Sequence, residues 1–459
     1  MHVVTEAKPP VPTVHVDPRR ITLAKLRFMG EDPSPQKEET RMTPTDVQKH
    51  IMGGLVPPED VTALGGRFAQ YEVNLAEQLG LREDEEVLGD APADDPLKAV
   101  DWYYYDRGLI LYRQAYRTGD TALISRANNA VTKYRNARDG VWDYPLNWSF
   151  ARGMAMHWLE TSNTKTLAAL QRMTQSCYNP YYLNYLAGET PDRDNPEGTD
   201  NRMQAYLLTH FTVMHALGQF DVPNPWEDTR TTTEMAHVAL DKILMSQGAD
   251  GNFADKTKQK SPFMTGLLLE SLILYWNLVE EDDRIPGAIE RSLDFMWENY
   301  LYPSGDTFYY DLGYYQISEE EGNAPTYDLN LLVCPASAWA DAWSIEDCDK
   351  IFNAGVASGG HEGDGKHFNQ QYFIGMLYSG WRVDNDGIDT GGGTDPAPEP
   401  GEFSLGDRVR FAGPPRFEGV ISGLFSQLDG DEAAVVEATM PEFAGSQRIC
   451  LLDKLEKLP

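Results

Sequence analysis

Between residues 98 and 383 the chain repeats one pattern: an apolar-rich segment, a short polar break, then an amphipathic segment. No other feature restricts the fold so strongly, because a helix that is apolar on nearly every face must be surrounded by protein. The clearest pair starts with SPFMTGLLLESLILYWNLVEED (261–282). Ser261 suits an N-cap and Pro262 the first helical turn. The next two turns are apolar almost all round. RIPGAIERSLDFMWENY (284–300) follows, with Ile289, Leu293, Met296, Trp297 and Tyr300 on one stripe and Glu290, Arg291, Asp294 and Glu298 off it. A buried helix followed by a half-exposed one reads as a hairpin with an inner and an outer member.

The pairing recurs. WYYYDRGLILYRQAYRTGD (102–120), NWSFARGMAMHWLETSN (147–163) and NRMQAYLLTHFTVMHALGQF (201–220) each precede a second helical segment. PTYDLNLLVCPASAWADAW (325–343) opens a fifth unit, and KHFNQQYFIGMLYSGW (366–381) supplies a sixth inner-type helix. Arg107-Gly108 and Arg152-Gly153 stand at equivalent places in the first two units. Inner helices begin roughly 40–65 residues apart, too wide and too uneven for an open solenoid of ~34-residue repeats.

Six helical hairpins with long loops at one end resemble the (α/α)6 toroid of many glycoside hydrolases and polysaccharide lyases. The residues that carry the resemblance are the TGD turn at 118–120, the aromatic starts YYYDRG and NWSFARG, and SQGADGNF (246–253) before the fourth inner helix. It covers residues 98–383 and includes no signature triplet. It implies a mainly α fold, with a funnel opening where the inner helices begin. It says little of activity, because one fold hosts many functions.

The flanks differ. Residues 1–97 are irregular and rich in proline, with ITLAKLRF (21–28) as a strand candidate, TPTDVQKHI (43–51) as a short capped helix and LREDEEVLGDAPADD (81–95) as an acidic connector. They read as an attachment or wrapping arm, the plainer alternative being a small β-rich domain. Residues 384–402 are a Gly/Pro/Asp-rich linker. In 403–459 the runs GDRVRFAG, RFEGVISG, EAAVVEAT and QRICLL have strand character. Their order resembles a small SH3-like (KOW-type) barrel, a fold that implies an interaction module.

Charge excludes some partners. With 39 Lys+Arg against 71 Asp+Glu, the net charge is −32, which disfavours nucleic acid and anionic membrane surfaces. Aromatics at 11%, including 10 Trp and 23 Tyr, leave ample material for a core. No segment is apolar enough for a transmembrane helix or a secretory signal. Cys177, Cys334, Cys348 and Cys450 show no metal spacing and read as free thiols. No metal or cofactor is expected.

Mapped on a toroid, the mouth collects Tyr104, Asp106 and Arg107, then Asn147, Trp148 and Arg152, then Asn201, Arg202, Gln204 and Tyr206. Lys260, Tyr327, Asp328, Asn330, His367, Asn369, Gln371 and Tyr372 complete it, and FYYDLGYY (308–315) forms a Tyr-rich lip. Aromatic plates with amide and charged groups suit a sugar. The plainer alternative is that the aromatics fill the toroid axis. Arg107, Arg152 and Arg202 suggest a positive ring for an acidic glycan, or else structural pairing with nearby carboxylates. Asp106 and Asp328 are the best-placed pair for glycoside hydrolysis. A lyase would take its base from Tyr104, His210 or His367.

An arm, a toroid and a tethered barrel without an export signal suit a virion-associated protein, such as a phage tail, fibre or appendage. Its toroid would bind, or bind and degrade, host surface glycan, while the arm or barrel docks on other virion proteins. The alternatives are a cytoplasmic glycoside hydrolase or lyase acting on oligosaccharides, and an inactive toroid serving as an interaction scaffold. Homo-oligomerisation stays open.

Overall fold

The computed structural model describes residues 44–53, 55–82, 103–138, 146–179, 201–222, 228–253, 261–310, 323–362 and 365–386, and the strand residues of 408–457. The strand candidate at 21–28, most of the acidic run at 81–95, Lys260, Tyr-rich residues 311–315 and nearly all of the linker lie outside the described residues.

Fifteen α-helices are described. They are α1 (Pro44–Met52), α2 (Pro58–Ala63), α3 (Gly66–Leu81), α4 (Arg107–Thr118), α5 (Thr121–Arg138), α6 (Arg152–Thr161), α7 (Thr164–Cys177) and α8 (Asn201–Ala216). The rest are α9 (Thr232–Ser246), α10 (Pro262–Leu278), α11 (Arg284–Tyr300), α12 (Cys334–Ala340), α13 (Ile345–Ala357), α14 (Gly365–Tyr372) and α15 (Gly375–Asp386). A 3-10 turn, Tyr327–Leu332, precedes α12.

Helix α4 packs on α6, α6 on α8, α8 on α10, α10 on the 3-10 turn and α12, that turn on α14, and α14 back on α4. The inner circle is therefore closed. Outside it, α5, α7, α9, α11 and α13 each pack on the inner member before them. The sixth outer place is taken by α3, which precedes the first inner helix. Its Tyr71 lies 4.9 Å from the Tyr372 ring of α14, α13 packs on it, and its Leu79 carbonyl accepts from Arg126 of α5 at 2.8 Å. The fold is an (α/α)6 toroid. The sequence reading starts the helical body at residue 98, but the outer helix that completes the sixth pair lies at 66–81. Residues 44–81 therefore belong to the body. Their signal is weak, because Glu72, Asn74 and Gln78 lie on the buried face of α3 and break its apolar stripe.

The best pair behaves as its pattern requires. Every residue of α10 except Asn277 is buried. On α11 Ile285, Ile289, Leu293, Met296 and Tyr300 form the buried stripe, and Trp297 is half-buried against Trp343, ring centroids 5.0 Å apart. Truncating a fully buried leucine such as Leu268 or Leu272 costs about 2–5 kcal/mol. Termini are set locally. Gly119, in the TGD turn, ends α4 in the left-handed region. Asn163 caps α7, and Thr231 with Glu234 forms a capping box on α9.

The repeated Arg-Gly pairs have a steric cause. A Cβ on Gly108 would stand 2.4 Å from Val131 Cγ2, and one on Gly153 would stand 2.2 Å from Asp106 Oδ1. Only glycine lets α4, α5 and α6 approach so closely.

One end of the ring is closed by α1 and α2. Arg113, on the last turns of α4, donates from Nε to the Met52 carbonyl at 2.7 Å, from Nη2 to Ile51 at 3.3 Å, and from Nη1 to Phe373. Arg117 donates to Val56 O at 2.9 Å and pairs with Glu72. Gln48 of α1 donates to Glu160 of α6 at 2.7 Å.

The C-terminal strands are β1 (Arg408–Phe411), β2 (Phe417–Ser426), β3 (Glu432–Ala438), β4 (Gln447–Leu451) and β5 (Leu455–Lys457). They form one antiparallel sheet in the order β4-β3-β2-β1-β5, with a register shift between Ile421 and Gly423. The four runs read as strands in the sequence fall on β1 to β4.

Candidate functional site

The mouth is the end where α4, α6, α8, α10, the 3-10 turn and α14 begin. Its floor is aromatic. Tyr104 lies edge-on to Tyr105 at 4.6 Å and to Phe150 at 5.6 Å, and Phe150 meets Tyr206 edge-on at 5.5 Å. Tyr104 and Tyr206 are buried. Below them a cavity bounded by Asp106, Arg152, Tyr206, Glu270 and Phe373 measures about 10 Å³, room for a single water. The axis is filled at this level.

Asp106 is part of that filling. Tyr105 and Asp106 both adopt φ near +60°, a left-handed conformation that costs about 1–2 kcal/mol for a residue with a Cβ. The twist aims the carboxylate at two backbone N–H groups, Leu109 N at 3.2 Å and Gly153 N at 2.8 Å. It caps α4 and tethers α6. Burial raises its pKa, opposed by those two hydrogen bonds. The sequence pairs Asp106 with Asp328 for hydrolysis. In the fold its oxygens serve the backbone, and the capping motif is hidden because the residue is left-handed at the N-cap.

The expected positive ring is mostly consumed inside the protein. Arg107 donates to Asn369 Oδ1 and, at 3.4 Å, to the Gly365 carbonyl, and lies 4.7 Å from the centre of the Phe368 ring. It closes the circle between the first and sixth inner helices. Arg152 forms a bidentate pair with Glu270 of α10, both buried. Arg202, half-buried, donates to Tyr104 OH, and Lys366 Nζ lies 5.1 Å from the Tyr104 ring centre. Glu270 was missed by sequence reasoning. Its signal is present in GLLLESLIL: a lone carboxylate on an all-buried helix demands a cation.

Other expected residues are structural in position. Trp148 is half-buried and its carbonyl accepts from Tyr134 OH at 2.8 Å. Tyr372 is buried against Tyr71 and Phe368. Asn330 bonds Thr307, Asp306 and Ile351. His210 is enclosed between Ser149 at 2.7 Å and Thr174 at 3.1 Å. Of the Asn147 side chain nothing is described.

Asp328 and His367 are brought together. With Tyr327, Pro325, Ser358, Gly359 and Gly360 they line an open cleft of about 340 Å³, at the lower end of small-ligand sites of ~300–1,000 Å³. Two carboxamides hold Asp328. Gln370 Nε2 donates to its Oδ2 at 2.9 Å and its carbonyl at 3.0 Å, and Gln371 Nε2 donates to that carbonyl at 2.6 Å. A Cβ on Gly360 would come within 2.9 Å of Asp328 Cβ and 2.8 Å of Gln371 Nε2, so glycine forms the shelf. Of the three base candidates, His367 is the one that lines an open cleft.

Among the described residues no group of three or more His, Cys, Asp or Glu is placed to hold a metal ion, and no helix is long and apolar enough to cross a membrane. Cys177, Cys334 and Cys348 are free and buried, and burial pushes their thiols up, Cys348 to about 12.

No family model matches the chain, and no curated protein matches it in sequence. Among solved structures it is similar to an unsaturated glucuronyl hydrolase from Bacillus sp. GL1, responsible for glycosaminoglycan degradation. That match has 11% identity over 68% of this chain and 96% of the other, with a TM-score of 0.46. It is also similar to an unsaturated glucuronyl hydrolase specific for heparin, at 8% identity over 62% of this chain and 85% of that one, TM-score 0.44. Likenesses this distant carry no activity to this chain.

Proposed function

We propose that the toroid binds carbohydrate at its mouth, with the Asp328–His367 cleft as the contact. The observation that carries this reading is the cleft itself. A carboxylate held by one carboxamide, with a second on its backbone carbonyl, lines one concavity with an imidazole, a phenol and a glycine shelf. Such groups read hydroxyls and stack on C–H faces. Retaining or inverting hydrolysis needs two available carboxylates about 5–10 Å apart. Asp106 is committed to Leu109 and Gly153, and Glu270 to Arg152, so neither serves as the second carboxylate for Asp328, which supports binding over hydrolysis by these pairs.

The wider setting belongs to the same proposal: a virion-associated protein whose terminal segments dock on other virion proteins. For the C-terminal segment, the strand order β4-β3-β2-β1-β5 is the neighbourhood an SH3-like barrel requires, which supports an interaction module. A second reading, a protein-interaction scaffold, draws support from the filled axis.

The test is incubation of the full chain with neutral and acidic polysaccharides, reading binding, reducing ends and absorbance of unsaturated uronates. Binding without product is the expected result. Product release would replace the binder with an enzyme, and silence in all three readouts would leave the scaffold.

A further inference from the structure

Among the described residues, the Asp328–His367 cleft offers a ligand a carboxylate and no lysine or arginine. All of its lining except His367 comes from the stretch 301–365, which carries twelve Asp and Glu against one cation, Lys350. Lys350 lies on α13 and is held by Glu346 at 3.3 Å and Asp347 at 3.4 Å. Lys366, next to His367, places its Nζ 5.1 Å from the centre of the Tyr104 ring and does not line the cleft. The arginines expected to make the mouth positive are occupied elsewhere, Arg107 by Asn369 and Arg152 by Glu270.

Asp328 is held without being neutralised. Gln370 Nε2 donates to its Oδ2 at 2.9 Å, and Thr326 Oγ1 donates to its Oδ1 at 3.5 Å. Both donors are uncharged, and an ionised carboxylate has about four lone-pair sites. The residue is half-exposed, so the carboxylate can accept more. A second carboxylate stands beside the cleft. Glu362 Oε2 lies 4.0 Å from where a Cβ on Gly359 would be, and Gly359 is part of the lining.

The charge of the ligand follows from these groups. A uronate would meet Asp328 with no guanidinium in the described lining to offset the repulsion. A hard metal ion takes about six to eight oxygens, and among the described residues no group of three or more His, Cys, Asp or Glu is placed to hold one. An ammonium needs acceptors for only three N–H donors. The Asp328 carboxylate and the Tyr327 phenol oxygen supply them, and an aromatic face also attracts a cation. We infer that the cleft is a subsite for a sugar bearing a free ammonium, a de-N-acetylated hexosamine, bound to Asp328 by a charge-assisted hydrogen bond. The inference rests on the carbohydrate reading above and reverses the ligand charge that the arginines suggest in the sequence. The net charge of −32 acts in the same sense at longer range, drawing in cationic glycans and repelling uronates.

The experiment titrates a glucosamine trisaccharide, its N-acetylated counterpart and a galacturonate trisaccharide into the full chain at pH 7, by calorimetry. Wild type and Asp328→Asn are compared at low and high salt, and 1,4-diaminobutane serves as a cation that is not a sugar. The wild type is expected to bind the glucosamine trisaccharide about tenfold or more tighter than the N-acetylated one, by a margin that shrinks at high salt. Asp328→Asn should bring the two close to parity. That change separates the cleft from the general acidity of the chain, because the variant alters one charge in a net of −32. Should Asp328→Asn fail to fold, His367→Arg, which adds a fixed cation to the same cleft, should reduce the preference in the same way. Tightest binding by the galacturonate, or a preference for the amine that persists in the folded variant, overturns the inference. If both glucosamine forms bind the wild type equally and both weaken in Asp328→Asn, the ammonium falls while the cleft stands as a carbohydrate site. If diaminobutane binds as tightly as the glucosamine trisaccharide and weakens as much in Asp328→Asn, the carbohydrate reading falls and takes the inference with it.

Discussion

At the closed end of the toroid Arg113 gives its donors to the carbonyls of Ile51, Met52 and Phe373, and Arg117 meets Val56 and Glu72. At the mouth Asp328 and His367 line an open cleft. Both ends are built from the same inner helices, read at opposite termini. The C-terminal halves are locked by a neighbouring segment of the same chain. The N-terminal halves pair with one another in the axis and leave an open cleft beside it. The contrast separates what holds the fold from what is available to a ligand.

The largest effects should come from the locked groups. Arg113→Met strands three buried carbonyls and loosens α1 from the ring. We expect a loss of about 3 kcal/mol or more, because each buried carbonyl left without a donor costs about 1–3 kcal/mol, read as a shift in denaturant midpoint. Burial lowers the Arg113 pKa to about 10, still charged at neutral pH, so the loss should be flat from pH 6 to 8. Glu270→Ala leaves Arg152 as an uncompensated buried cation, and a loss of similar size, about 3–5 kcal/mol, is expected. If either variant melts like the wild type, the lock is not where the geometry puts it.

A smaller effect concerns pH. Burial, with Arg135 nearby, lowers the His157 pKa from 6.5 to about 4. As pH falls the unfolded chain takes up this proton first, so the contribution of His157 is complete above about pH 6.5 and is lost between there and pH 4. His157→Asn, which keeps an acceptor for Thr166 Oγ1, should flatten that part of the stability profile. An unchanged slope would show that the imidazole titrates normally.

The elements were legible where a single pattern ruled. Ser261-Pro262 marked the start of α10, and the stripe of α11 matched its buried face. The body's first helices were not, because α3 buries Glu72, Asn74 and Gln78 and so breaks its apolar stripe. The site was legible only in part. Asp328 and His367 are far apart in sequence, and the ring brings them together. Arg107 and Arg152 looked like a ligand ring because the acceptors that occupy them, Asn369 and Glu270, lie 262 and 118 residues away. No spacing rule reaches that far.

The smallest effect on stability and the largest on function should coincide at Asp328. Asp328→Asn changes a half-exposed group that keeps an acceptor for Gln370, so stability should move by about 0.5 kcal/mol or less. The decisive measurement is calorimetric titration of the best-binding glycan into wild type and Asp328→Asn at one temperature. Affinity about tenfold or more weaker in the variant, with an unchanged melting temperature, is the predicted result. Equal affinity in a folded variant would contradict the placement of the site in this cleft.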